Sequence, residues 1–219
     1  MKKVKRFLIS VCLLLTASVI TAEEKAPETK LPRVLIIGDS ISRSYTKQVT
    51  QLLTGKAEVQ RVQANCKFSA YGVKNTAGWI AKGKWDIIHF NFGMWDLYGW
   101  KQKVKATPET YAANLDKIVT ILKTSGARLI FATTTPNCKS KEIKSILVSA
   151  ERHGQFALAA LEVMKKHQVK VNDLCAVVAP EIDKHQLAAN NVHYNSKAAM
   201  LLARQVVKVL EEELGELQK

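Results

Sequence analysis

Apolar and polar positions follow two rhythms along this chain, one of period two and one near 3.6. The run Val34-Leu35-Ile36-Ile37 predicts a strand over residues 33–38 that is buried on both faces. A helical pattern follows over 45–53, then a short strand at 58–62, a loop at 63–71 and a second helix over 73–82. The third strand, 85–92, stops at Gly93, and 94–106 reads as loop. Thr107-Pro108-Glu109-Thr110 is a helix start with proline at the first helical position. That helix carries Tyr111, Leu115, Ile118, Val119 and Leu122 at core spacing and ends near Ser125-Gly126. A fourth strand at 128–134 closes on Thr135-Pro136-Asn137, and a long helix, 147–167, leads to a fifth strand at 169–171. A helical turn at 173–178 and an amphipathic helix over 196–214 complete the pattern.

Five strands alternating with helices predict a parallel sheet covered on both sides. The expected fold is a three-layer α/β/α flavodoxin-like sandwich of the α/β class, with a five-stranded parallel sheet in the order 2-1-3-4-5. The alternation comes from the residues, the strand order from analogy. No internal repeat, low-complexity tract or second-domain boundary interrupts 33–219.

The first residues follow a different logic. Lys2, Lys3, Lys5 and Arg6 precede an apolar run over 7–20, and Ile20-Thr21-Ala22 offers a small residue for cleavage. We read 1–22 as a secretory signal peptide and 23–32, with Pro27 and Pro32, as an extended leader. A membrane anchor is the competing reading, but a span needs about 20 apolar residues and this run is shorter. No stable membrane span is expected after cleavage, which places the mature protein in the periplasm or outside the cell.

Removal of the four basic residues would leave 29 basic against 19 acidic residues, a net charge of +10 where the whole chain carries +14. Such a balance favours an acidic polysaccharide, an anionic membrane surface or nucleic acid, and says nothing about fold. The lysines are scattered, denser only at Lys101, Lys103, Lys105 and at Lys139, Lys141, Lys144. No nucleic-acid motif accompanies them, and no nucleic-acid partner is expected. Cys66, Cys138 and Cys175 follow the leader, with a spacing that fits no metal template, and no metal or cofactor is implied. A Cys66–Cys138 disulfide would stiffen the two loops that carry them, although the strands before those loops are not expected neighbours. Cys175 reads as a buried apolar residue.

Two stretches could carry chemistry. The first strand runs into Gly38-Asp39-Ser40, and strand, sharp turn and helix is the geometry that lifts a serine above the carboxyl edge of a parallel sheet. Ser40 is then a nucleophile, or the tripeptide is an ordinary turn in which Asp39 or Ser40 caps a helix. His193, just before the last helix, can reach the same edge and take the Ser40 proton. His89 reads as a core residue within a strand, His153 and His167 as helix residues, and His185 as part of a polar loop.

The strand ending in Gly38-Asp39-Ser40, with Asn190-Asn191-Val192-His193 before the last helix, resembles the SGNH (GDSL-type) hydrolase superfamily over about 33–208, and Val171-Asn172-Asp173-Leu174 adds to the likeness. The resemblance implies a serine esterase, with Ser40 as nucleophile, His193 as general base and Asp39 in the first-block aspartate position. It also implies two departures. Asn190 stands where the acid three residues before the histidine is expected, and an amide can orient an imidazole but cannot neutralise an imidazolium. In Gly93-Met94-Trp95-Asp96, Trp95 replaces the asparagine that donates to the oxyanion, so its indole N–H donates instead, or its ring lines an acyl or sugar pocket, or it packs. The remaining oxyanion donors would be the Ser40 N–H and a backbone N–H at Cys66 or its neighbour, with the Asn65 amide as a candidate for the position Trp95 leaves empty.

The expectation is therefore an exported ester hydrolase that removes acetyl or similar groups from a small-molecule or polysaccharide ester, with Trp95, Tyr98 and Trp100 either stacking on sugar rings or packing a long loop. An exported O-acyltransferase and a non-catalytic binding protein of the same fold are the alternatives.

Overall fold

The computed structural model describes residues 30–136, 152–188, 191–217 and 219; the expected signal peptide, most of the leader, Cys138 and Asn190 lie outside them. Five strands form one sheet: β1 (Arg33–Ile37), β2 (Glu58–Arg61), β3 (Ile87–Phe90), β4 (Arg128–Ala132) and β5 (Lys170–Asn172). Every neighbouring pair is parallel and the order is β2-β1-β3-β4-β5, as expected. The helices are α1 (Ser40–Leu52), α2 (Ser69–Ile80), α3 (Met94–Tyr98), α4 (Pro108–Lys123), α5 (Arg152–His167), α6 (Leu174–Val178), α7 (Ile182–His185) and α8 (Ser196–Leu217).

The apolar run of β1 divides by its period of two. Val34 and Ile36 pack with α1 and α8, while Leu35 and Ile37 pack with α2, α4 and α5. None of the four is more than 3% exposed. At about 1.5–3 kcal/mol for each large aliphatic side chain taken out of water, this run anchors the sheet between its two helical layers. On the second face, Gly72 of α2 sits so close to the sheet that a Cβ there would lie 2.6 Å from the Phe92 ring.

The structure departs from the sequence pattern mainly at helix starts. α1 begins at Ser40 rather than near 45, because Asp39 Oδ1 accepts the Ile41 N–H at 2.9 Å and caps the helix. Its first turn, which is polar enough to read as loop, is stitched by Ser42 Oγ donating to Asp39 O and Ser44 Oγ donating to Ile41 O. α2 begins at Ser69 rather than 73 and has no local side-chain cap. Its cap comes from Asp96 of α3, whose carboxylate accepts both the Ser69 N–H and the Ser69 hydroxyl. α3 itself lies in the stretch expected as loop, and α7 places His185 at 3% exposure where a polar loop was expected.

Because all strands run the same way, the turns after them meet at one edge. The Asp39-Ser40 turn follows β1, residues 62–68 follow β2, Gly93 to Trp95 follow β3 and Thr133 to Thr135 follow β4. The loop before α8 reaches this edge from the other end of the chain. It is held by an antiparallel bridge between Gln186 and Tyr194 and by the Leu187 N–H donating to His193 O at 3.1 Å.

Candidate active site

Ser40 and His193, 153 residues apart, meet at this edge with Oγ and Nε2 2.8 Å apart. The other ring nitrogen, Nδ1, lies 3.0 Å from Asn191 Oδ1, and the same oxygen accepts the His193 backbone N–H at 2.9 Å. A backbone N–H can only donate, so the atom facing it is the amide oxygen, and an amide oxygen can only accept. The ring proton is therefore on Nδ1, which leaves the Nε2 lone pair for the Ser40 hydroxyl proton. This is the tautomer a general base needs.

Asn190, expected to orient the ring, lies outside the described residues; Asn191 holds Nδ1. The sequence offered only a weak signal for Asn191, that of an asparagine placed to form a turn. An asparagine two residues before the residue whose N–H it accepts is an Asx turn, and here that turn also captures the imidazole.

Arg61, the last residue of β2, is the supporting residue that sequence reasoning missed. Its guanidinium donates to Gly38 O at 2.8 Å, to Asp39 O at 2.9 Å and to Ser42 Oγ at 2.9 Å, so one planar fork closes the nucleophile turn. Nothing in its neighbourhood of edge-strand polar residues distinguished it from a solvated charge. Asp39 is 3% exposed, and burial raises the pKa of its carboxyl against the opposing pull of the Ile41 N–H, Arg61 and His193.

The oxyanion donors divide. As the first residue of α1, Ser40 has no acceptor for its N–H within the helix, which leaves that donor for an external oxyanion. The Cys66 N–H, expected to be a second donor, instead bonds Gly38 O at 3.3 Å, because the loop after β2 stays zipped to the end of β1. Its neighbour Lys67 donates its N–H to Asn65 Oδ1 at 3.1 Å. Neither Asn65 nor Cys66 lines the groove around Ser40. The Cys66 thiol is fully buried and pushed up to about 12 by desolvation, which does not suit a nucleophile, and Cys138, the partner considered for it, lies outside the described residues. Cys175 is free and 2% exposed, a buried apolar residue as expected.

Trp95 does reach the site. An open groove of about 450 Å³ is lined by Ser40, Asn191, Val192 and His193 together with Trp95 and Trp100. The two indoles meet edge to face at 5.8 Å, and Tyr98 stacks on Trp100 at 4.9 Å. Asp96 fixes this wall through Ser69, whose hydroxyl also accepts from Asn114 Nδ2 at 3.0 Å. Buried at 1% exposure, the Asp96 carboxyl is pushed up to about 6 by desolvation, with the Ser69 hydrogen bonds pulling the other way.

Gly93 turns the chain from β3 into this wall with φ of 150°, and a Cβ there would lie 2.0 Å from Thr134 Oγ1. Only glycine fits. Among the described residues, no cluster of three or more His, Cys, Asp or Glu side chains is arranged to hold a metal ion.

No protein-family model and no curated protein matches the sequence. The fold does match solved structures. An acetyl xylan esterase aligns at 13% identity over 81% of this chain and 99% of its own, with a TM-score of 0.67. A lipase/acylhydrolase from Enterococcus faecalis aligns at 20% identity over 83% and 96%, also at 0.67. A carbohydrate esterase family 3 protein from Talaromyces cellulolyticus aligns at 17% identity over 85% and 99%, again at 0.67. The fold is that of the SGNH hydrolases.

Proposed function

We propose that this protein is an exported serine esterase that deacylates a carbohydrate. The observation that carries the reading is the relay Ser40 Oγ, His193 Nε2, His193 Nδ1, Asn191 Oδ1, with contacts of 2.8 and 3.0 Å. In the reaction, Nε2 takes the Ser40 proton as Oγ bonds to the ester carbonyl carbon, and the carbonyl π electrons move to oxygen. The Ser40 N–H donates to that oxyanion. Collapse expels the alcohol oxygen, which carries away the proton from Nε2 and leaves an acyl-serine. Water then repeats the sequence, giving up a proton to Nε2, releasing the acid and restoring the hydroxyl.

Asn191 orients the imidazole throughout and supplies no negative charge. The reading therefore includes a modest rate. The alcohol half of the ester would lie against Trp95 and Trp100, whose faces suit the apolar faces of a sugar ring. Acetyl xylan and carbohydrate esterases among the structures of the same fold support that choice, and the amino-terminal pattern of 1–22 supports export.

The test is release of p-nitrophenol from p-nitrophenyl acetate by the purified protein and by Ser40→Ala. Turnover with a burst equal to the enzyme concentration, absent in the variant, supports the esterase. A flat progress curve for the wild type, with glycan binding retained, would overturn it in favour of a binding protein. Acetyl transfer to an added sugar in preference to water would instead indicate an acyltransferase.

A further inference from the structure

We infer that the glycan this groove accepts is anionic, a carboxylate-bearing polysaccharide such as a polyuronide; this rests on the carbohydrate reading above and narrows it. The segment that follows α3 runs from Gly99 to Ala106. Gly99 at φ 67° and Lys101 at φ 55° bend the chain sharply twice within three residues. A lysine in the left-handed region is uncommon and has to be held there by its surroundings.

Several bonds hold it. Gln102 Nε2 donates to Trp95 O at 2.7 Å, and Arg152 donates to Leu97 O before the segment and to Ala106 O at its end, each at 2.9 Å. The loop is thus fastened to α3 and α5 rather than free.

What the fastened loop presents is charge beside aromatic faces. Lys101 Nζ stands 6.0 Å from the centre of the Trp95 ring, and the stem of Lys105 packs over Gly99, beside Trp100. Lys103 lies between them in sequence and is exposed. Among the described residues none of these three lysines has an acidic partner in an ion pair. The segment holds no acidic residue of its own, and Asp96 of α3 is buried against Ser69 and faces away from solvent.

Trp95, which lines the groove with Ser40, therefore has the unpaired ammonium of Lys101 beside its ring, with Lys103 and Lys105 exposed on the same loop. Indole faces bind the C–H faces of sugars of any charge. Unneutralised lysines beside them add attraction only where the sugar carries a negative group.

The experiment compares O-acetylated polygalacturonate with O-acetylated xylan as substrates for the purified protein, following acetate release. The expected result is a higher kcat/KM on the polyuronide at ~0.01 M ionic strength, carried by KM, that collapses toward the xylan value at ~1 M, where the screening length falls from about 30 to about 3 Å. The double variant K101Q/K105Q is expected to lower the polyuronide-to-xylan ratio by about fivefold to tenfold at low salt. A ratio indifferent to salt and to the double substitution, with both glycans cleaved, would overturn the anionic inference and leave the carbohydrate esterase standing. Cleavage of p-nitrophenyl acetate but of neither glycan would overturn both.

Discussion

Replacing Asn191 by aspartate tests the relay most directly, because it alters charge and little else. The carboxylate keeps an acceptor for the His193 backbone N–H and for Nδ1–H, so the Asx turn survives. The difference appears only when His193 becomes cationic in the transition state. A full negative charge 3.0 Å from Nδ1 would attract that cation by about 5 kcal/mol at an effective dielectric of ~20. His193 and Asn191 are only half-buried at an open groove, and water there discounts the figure to about 1–3 kcal/mol.

That corresponds to a gain of about fivefold to a hundredfold in kcat for p-nitrophenyl acetate. The carboxylate also favours the protonated ring. The acid limb of the kcat/KM profile, set by the group that must be free to take the Ser40 proton, is therefore expected to move to higher pH while the plateau above it rises. Steady-state kinetics between pH 5 and 9 on wild type and N191D would show both changes. An unmoved limb with an unchanged plateau would refute the placement of Asn191 against Nδ1.

Three further outcomes are expected. Arg61→Lys keeps the charge but loses the fork to Gly38, Asp39 and Ser42, and should destabilise the fold by about 2 kcal/mol in urea titration and lower kcat; a silent substitution would mean that the turn closes without it. His89 is fully buried, with Nε2 accepting from Asn172 Nδ2 and Nδ1 without a partner, and desolvation lowers it to about 4. Between pH 6.5 and 4 the unfolded chain binds this proton and the folded chain does not, so stability falls with falling pH by about 3 kcal/mol from this residue; a His89 ring resonance that titrates near 6.5 in the folded protein would contradict that. Gly93→Ala places a Cβ against Thr134 Oγ1 in a backbone conformation closed to alanine, and should cost about 2–4 kcal/mol in thermal denaturation and displace Trp95 from the groove, seen as a change in indole fluorescence.

The sequence made the sheet legible because its strands are apolar on both sides: Val34 to Ile37 and Ile87 to Phe90 have one credible home, between two helical layers. It concealed the helix starts whose caps come from elsewhere. Ser69 begins α2 because Asp96, 27 residues later, accepts its N–H, and no local pattern records that contact. At the site, Ser40 and His193 stood out because their residue types at strand and helix ends limit what they can do. Arg61 and Asn191 did not, since an arginine on an edge strand and an asparagine beside another asparagine look ordinary until the carbonyls and the imidazole they bind are in place. The donor expected at Cys66 failed for the same reason in reverse, as its N–H was counted without knowing that Gly38 O would take it.

The Asx turn before His193 has a kinetic implication. One oxygen, Asn191 Oδ1, receives both the backbone N–H and the ring N–H of the same residue. The imidazole gives up only its own bond to Oδ1 if it rotates away from Ser40, but the loop cannot unwind from Oδ1 without releasing the ring as well. Base orientation is thus subordinate to loop conformation. Whatever loosens residues 191–193 switches off proton transfer in the same movement.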